Sequence, residues 1–166
     1  MSKKEDYNMK VAIYPGSFDP ITKGHLDVLE TGAEIFDKVI IAVAKNSAKH
    51  GFLTIEERVE LIKKSCAHLK NVEVDCFEGL TIDYAAQKGA TILLRGLRAV
   101  SDFEYEMQLS QNNSALNHNI KTVFLITKPK YNFISSSSVR EILLNGGDIT
   151  KFVPEEVKNY LVKKYN

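Results

Sequence analysis

A histidine stands where an apolar run gives way to a helical pattern, in the segment Tyr14-Pro15-Gly16-Ser17-Phe18-Asp19-Pro20-Ile21-Thr22-Lys23-Gly24-His25. Such a join can hold a phosphate. Gly16 and Gly24 have no side chain to keep a ligand off the backbone, and a helix starting near Gly24 aims unpaired N–H groups at an anion. His25 at the helix mouth is then either a donor to that anion or no more than the cap of an ordinary βα loop. A second hydroxyl-rich turn, Ile134-Ser135-Ser136-Ser137-Ser138-Val139-Arg140, enters another helical stretch and offers donors to a pyrophosphate. Taken alone, it equally fits a serine-rich turn with an N-cap. Arg95 closes the apolar run Ile92-Leu93-Leu94, an odd place for a surface charge and a good one for an anion clamp.

Positioning these groups requires strands that end at the loops. Residues 10–14 read as a short buried strand, and Leu26, Val28, Leu29, Ala33 and Phe36 recur at roughly helical spacing after it. A second strand is expected over 38–44, and Thr54-Ile55-Glu56-Glu57 is a capping box opening a helix to Cys66. Further strands are expected over 71–76, 91–95 and 121–127, with helices over 81–88, 102–116, 139–145 and 155–164. Five strands alternating with helices imply an α/β fold, a Rossmann-like doubly wound five-stranded parallel sheet with a helical C-terminus. No repeat, low-complexity tract or composition break marks a linker, so residues 9–166 are expected to form one domain behind a polar extension over 1–8, with Met9 an alternative start. Ligands of such sheets bind beyond the carboxyl ends of the strands, where strand order reverses. The loops after Tyr14, Ala44, Cys76, Arg95 and Thr127 should therefore surround one crevice.

Composition narrows the partners. A formal net charge of +1 argues against a nucleic-acid partner, because phosphate-backbone binders carry a clear basic excess. Cys66 and Cys76 lie outside any C-x-x-C pattern and have no His/Cys clustering of the kind zinc requires, which suits reduced thiols in the cytosol. The N-terminus has no apolar core of a signal peptide, and the longest apolar run, 39–44, is too short to span a bilayer. A soluble, cytoplasmic protein is expected, with no membrane partner. His50, His68 and His118 match no motif, and surface or capping roles are expected of them.

Thr22-Lys23-Gly24-His25 resembles the T/H-x-G-H signature of the nucleotidyltransferase superfamily, and the 134–140 turn resembles its second signature, Ile-Ser-Ser-(Ser/Thr)-x-x-Arg. Between them lies Leu94-Arg95-Gly96-Leu97-Arg98-Ala99-Val100-Ser101-Asp102-Phe103-Glu104-Tyr105-Glu106-Met107-Gln108. With this block the chain resembles the bacterial phosphopantetheine adenylyltransferases from about Met9 to its C-terminus, and differs from sister families that use CTP or nicotinamide mononucleotide.

The resemblance implies transfer of the adenylyl group of ATP to 4′-phosphopantetheine, giving dephospho-coenzyme A and pyrophosphate. The acceptor's phosphate is the nucleophile. With a second pKa of about 6 it is largely dianionic at neutral pH and needs no protein base. His25 would stabilise charge on the α-phosphate, with Ser17 and Phe18 adding backbone donors and the Ser17 hydroxyl. Ser17, Lys49, Thr81 and Arg95 would meet the acceptor, Lys49 and Arg95 at its phosphate and Thr81 through main-chain groups, a role compatible with its alternative reading as a helix N-cap. Gly96, Leu97, Arg98, Glu106, Tyr131, Asn132, Phe133, Ile134, Ser135, Ser136 and Ser137 would line the ATP site, with Arg98 on the β- or γ-phosphate. Read without the resemblance, Glu106 belongs to an acidic helix start and Phe133 to the core. Mg²⁺ would arrive with ATP, and no protein side chain is expected to ligate it. Asp19 is expected to stabilise the turn before Pro20. The family further implies a homohexamer and feedback binding of coenzyme A. Two alternatives stay open: a sister nucleotidyltransferase with another phosphorylated acceptor, and a non-catalytic nucleotide-binding module on the same scaffold.

Overall fold

The computed structural model describes residues 9–45 and 51–165. Within them the strands form one five-stranded sheet, in the spatial order 72–78, 38–45, 11–16, 92–97 and 121–126, with every neighbouring pair parallel. The chain runs β1 (Val11–Gly16), α1 (Lys23–Ile35), β2 (Lys38–Lys45), α2 (Ile55–Ser65), β3 (Val72–Glu78), α3 (Thr81–Gln87), β4 (Ile92–Leu97), α4 (Val100–Leu116) and β5 (Lys121–Ile126). A 3₁₀ turn (Pro129–Tyr131), α5 (Ser136–Leu144) and α6 (Glu155–Tyr165) complete it. The expected doubly wound α/β architecture is the one observed.

Alternation along the strands divides the core. Ala12, Tyr14, Val39, Ile41, Val43 and Leu94 face a layer built from α1, α2, α5 and α6, through Val28, Leu29, Leu61, Ile62, Val139, Leu143, Val157 and Leu161. Val11, Ile13, Ile40, Ala42 and Leu93 face the other side, where Ile82, Tyr84 and Ala85 of α3 cover them. Successive strand side chains point to opposite faces, so a run of unbroken apolar residues such as Val39 to Val43 is what a sheet covered on both sides requires. The second layer is thinner. Glu106 is the one buried residue among the described side chains of α4, while Val100, Tyr105 and Leu116 are exposed.

The site is set by a divergence in the sheet. β1 pairs with β2 through six residue pairs, out to Gly16↔Val43, and β4 follows β5 out to Leu97↔Ile126. Between themselves β1 and β4 share only Ala12↔Ile92 and Ile13↔Leu93. Their carboxyl ends separate, and this is the switch point where strand order reverses. α1 leans into the gap above β4, because Gly96 offers no side chain: a Cβ there would stand 2.8 Å from a methyl of Val28.

Several boundaries differ from expectation. β1 runs on through Pro15 and Gly16, and β4 through Gly96 and Leu97, since parallel pairing with the outer neighbour continues past the apolar run. α5 begins at Ser136 rather than at Val139, so three of the serines belong to the helix.

Candidate active site

A cleft of about 470 Å³ opens at the separated ends of β1 and β4. Its walls come from the β1–α1 loop and the first turn of α1, from the end of β4 and α4, and from the turn entering α5. Of the residues singled out in the sequence, it brings together Ser17, Phe18, His25, Arg95, Gly96, Arg98, Glu106, Ile134, Ser135, Ser136 and Ser137.

His25 is the third residue of α1 and completes a capping box with Thr22. The Thr22 hydroxyl accepts from the His25 amide (3.3 Å), and His25 Nδ1 accepts from the Thr22 amide (3.1 Å). Glutamate or glutamine is the usual partner at this position. Because Nδ1 accepts, the ring proton sits on Nε2, and Nε2–H is the donor left to face a ligand. Burial, reinforced by the charges of Arg98 and Arg95, lowers the imidazole pKa from 6.5 to about 4. The ring is therefore neutral at physiological pH. Capping and ligand donation, posed as alternatives in the sequence, use different nitrogens and are compatible. The edge of Phe18 meets the imidazole at 5.1 Å between centroids and 81° between planes.

Three arginines line the cleft, held in different ways. Arg95 makes a two-pronged pair with Glu106, Nε to Oε2 at 2.7 Å and Nη2 to Oε1 at 2.6 Å, and Nη1 donates to the Pro15 carbonyl at 2.9 Å. Those bonds take three of its five hydrogens, leaving one on each terminal nitrogen. Glu106 is 8% exposed and lies in the second turn of α4, so the acidic-helix-start reading is corrected: α4 begins at Val100, and Asp102 occupies its first turn. Arg98 pairs with Asp102 (3.2 Å) and reaches the Ile134 carbonyl (2.8 Å), tying β4 to the serine turn. Arg140 donates to the Asp19 carbonyl at 2.6 Å and, among the described residues, has no carboxylate partner.

The serine turn is a helix start. Ser135 is the N-cap of α5, accepting from the Ser138 amide at 3.1 Å, and the Ser138 hydroxyl accepts from the Ser135 amide at 3.2 Å. The Ser136 hydroxyl donates to the Pro20 carbonyl at 2.8 Å, joining the two loops. The cleft thus receives the N-termini of both α1 and α5, each carrying partial positive charge.

Other sequence candidates stand elsewhere. Leu97, Tyr131, Asn132 and Phe133 are not on the cleft wall. Phe133 is 64% exposed, its ring edge on Phe152, which overturns its assignment to the core. Thr81 borders a smaller hollow of about 100 Å³, whose wall includes Arg95 and Glu106. It is the first residue of α3 rather than its N-cap, which is Leu80. Asp19 is no local turn former: its carboxylate accepts the amides of Phe52 and Leu53, each at 2.8 Å, across more than thirty residues of sequence. Lys49 lies outside the described residues. Sequence reasoning assigned no role to Tyr14, Asp102, Tyr105, Thr127 or Arg140, all of which line the cleft. Arg140 was legible as the closing residue of the second signature, whereas Tyr14 and Thr127 read as strand residues. Among the described residues no cluster of three His, Cys, Asp or Glu side chains could hold a metal ion.

The arrangement suits binding of polyphosphate and stabilisation of charge on a phosphorus centre, with one neutral imidazole donor. Sequence comparison agrees in class. The profile of the Cytidylyltransferase-like family matches residues 13–142. A phosphopantetheine adenylyltransferase of Finegoldia magna is 51% identical over 96% of this chain and 98% of its own length. One from Clostridium botulinum strain Alaska E43 is 53% identical over 94% and 98%. Among solved structures, a Vibrio parahaemolyticus protein described as a nicotinate-nucleotide adenylyltransferase superposes with a TM-score of 0.69, covering 95% of this chain and 93% of its own at 19% identity, a likeness of fold alone.

Proposed function

The chain belongs to the phosphopantetheine adenylyltransferase family, and from that premise we propose how its cleft transfers the adenylyl group of ATP to 4′-phosphopantetheine, giving dephospho-coenzyme A and pyrophosphate. The observation that carries the proposal is the meeting of a tautomerically fixed His25 with two helix N-termini and three arginines in one cleft. The acceptor's phosphate attacks the α-phosphorus of ATP, and pyrophosphate leaves. No protein base is needed, since the attacking phosphate is already dianionic above about pH 6. His25 Nε2–H donates to the α-phosphate oxygens as negative charge grows there, an interaction worth most in the transition state.

Arg98 and the amides at the start of α5 hold the β- and γ-phosphates, and Gly96, Ile134 and Ser135 to Ser137 form the wall against the nucleotide. Arg140, with its charge uncompensated by any described carboxylate, joins this set. Arg95 presents its two remaining hydrogens to the acceptor's phosphate, and Lys49 assists. Thr81, in the adjoining hollow, meets the pantetheine arm. Glu106 serves the site by holding the Arg95 fork as well as by facing ATP. Mg²⁺ enters as part of the Mg-ATP substrate, ligated by phosphates and water.

We place the enzyme in the cytoplasm as a homohexamer, with coenzyme A as a feedback ligand of the same cleft. The exposed apolar residues of α4 support assembly, and no helix among the described residues is long and apolar enough to cross a membrane. The deciding experiment follows pyrophosphate release from Mg-ATP with 4′-phosphopantetheine, nicotinamide mononucleotide or glycerol 3-phosphate as acceptor. Release with 4′-phosphopantetheine alone is expected. Preference for either other acceptor overturns the assignment, and binding without release would mark a non-catalytic module.

A further inference from the structure

The loop that carries Ser17 and Phe18 is gripped from outside the cleft. Arg58 of α2 is 8% exposed, and its guanidinium reaches three places at once. Nη1 donates to the Ser17 carbonyl (3.2 Å), Nη2 stands 3.1 Å from the Asp19 carboxylate, and Nε and Nη2 both donate to the Leu53 carbonyl (3.0 and 2.8 Å). The Asp19 carboxylate also accepts the Phe52 and Leu53 amides, and its carbonyl accepts from Arg140. Phe18 therefore sits between two anchored neighbours. Its φ is 46°, in the left-handed region, where a bulky residue persists only if its surroundings over-determine it. That backbone turn sends the Phe18 ring inward, 3% exposed, with its edge to Tyr14 at 5.2 Å and to His25 at 5.1 Å.

We propose that Arg58 is a positioning residue for adenylyl transfer: by fixing Ser17 and Asp19 it keeps Phe18 left-handed, and Phe18 in turn sets the plane of the His25 imidazole. The ring is held at Nδ1 by Thr22, through its amide and hydroxyl (3.1 and 3.2 Å), and on its other side by the Phe18 ring. Contacts at one nitrogen alone leave an imidazole free to swing about that end. The Phe18 contact fixes the direction of Nε2–H, and misdirection of a transition-state donor lowers kcat with little effect on ground-state binding. The inference rests on His25 being the α-phosphate donor.

Two variants test the link from opposite sides. Arg58→Lys keeps a buried cation beside Asp19 and loses the planar fork that reaches Ser17 and Leu53 together. Gly51→Ala leaves every charge in place but puts a Cβ 1.6 Å from Arg58 Nη2, so the guanidinium must shift. For both, on protein shown to be folded by its thermal melt, kcat is expected to fall about 10- to 100-fold while both KM values stay within about threefold. In NMR spectra the His25 ring should lose its contact with Phe18 and titrate nearer its ordinary 6.5 than in the wild type. A kcat within about threefold of wild type, or a lowered kcat with unchanged His25 signals, overturns the proposal. Wild-type turnover in His25→Ala would instead overturn the catalytic assignment, and the NMR comparison would still decide whether Arg58 seats the ring.

Discussion

A histidine whose Nδ1 accepts a backbone amide can donate only through Nε2, so turnover should depend on one directed hydrogen bond and not on a proton gained or lost. His25→Ala is expected to lower kcat by about two to four orders of magnitude with ATP affinity nearly unchanged, read by single-turnover kinetics beside an ATP titration. The pH profile follows from the same geometry. With His25 lowered to about 4, the acid limb of kcat/KM for the acceptor should track the acceptor's phosphate, near pH 6, and should persist in His25→Gln. Loss of that limb in the Gln variant would make the histidine a base. Arg95 and Glu106 need a paired test, because removing either alone strands a charge in the cleft wall. Arg95→Ala is expected to weaken acceptor use about 10- to 1000-fold and to lower stability. Adding Glu106→Gln should restore the melting temperature but not the acceptor, a split that steady-state kinetics and a thermal melt resolve together. Both residues were named from the sequence, yet their pairing was not legible. It depends on α4 starting at Val100, which turns Glu106 back toward the end of β4.

At the scale of elements, the strands and α1, α2 and α6 were legible because apolar spacing and caps agreed. α5 was displaced because serine was counted as a turn former, whereas Ser135 and Ser138 satisfy one another's backbone and let the helix begin among them. The link between α2 and α6 was invisible for a different reason, since its partners are about a hundred residues apart. Glu57 caps α2 through Thr54 and also receives Tyr160 and Lys164 of α6. Burial alone would raise its pKa, but those three bonds outweigh it and lower the value from 4.5 to about 2. A carboxylate that is harder to protonate folded than unfolded contributes stability above pH 4.5 and loses it as pH falls toward 2. The melting-temperature gap between wild type and Glu57→Gln should therefore be widest at neutral pH and close in acid. A gap independent of pH would show that the clasp owes nothing to the charge.

The molecule as a whole followed the sequence in topology and departed from it at one surface. Parallel α/β order was implied by alternation alone, and the functional loops were expected at the carboxyl ends of the strands, where the cleft lies. What a single chain could not reveal was how sparsely α4 covers its side of the sheet. Val100, Tyr105, Met107 and Leu116 are 81%, 62%, 40% and 62% exposed, apolar side chains spread around α4 with no single stripe turned to the sheet. If these exposed side chains of α4 join subunits, light scattering should give six chain masses for the wild type. Leu116→Lys, which lies far along α4 from the cleft residues, should give a smaller species. A monomeric wild type would remove the hexamer from the proposed function.

The two nitrogens of His25 also bear on how such an enzyme can change. Functional residues commonly sit at some cost to stability, so that replacing them strengthens the protein. Here the residue we propose as the α-phosphate donor also closes the first turn of α1, and most replacements would leave the Thr22 amide without its acceptor. Selection for heat resistance alone, with catalysis switched off, would therefore still tend to retain His25 or admit glutamine, whose side chain can make the same cap. In this chain durability and catalytic competence are defended by the same substitution pressure.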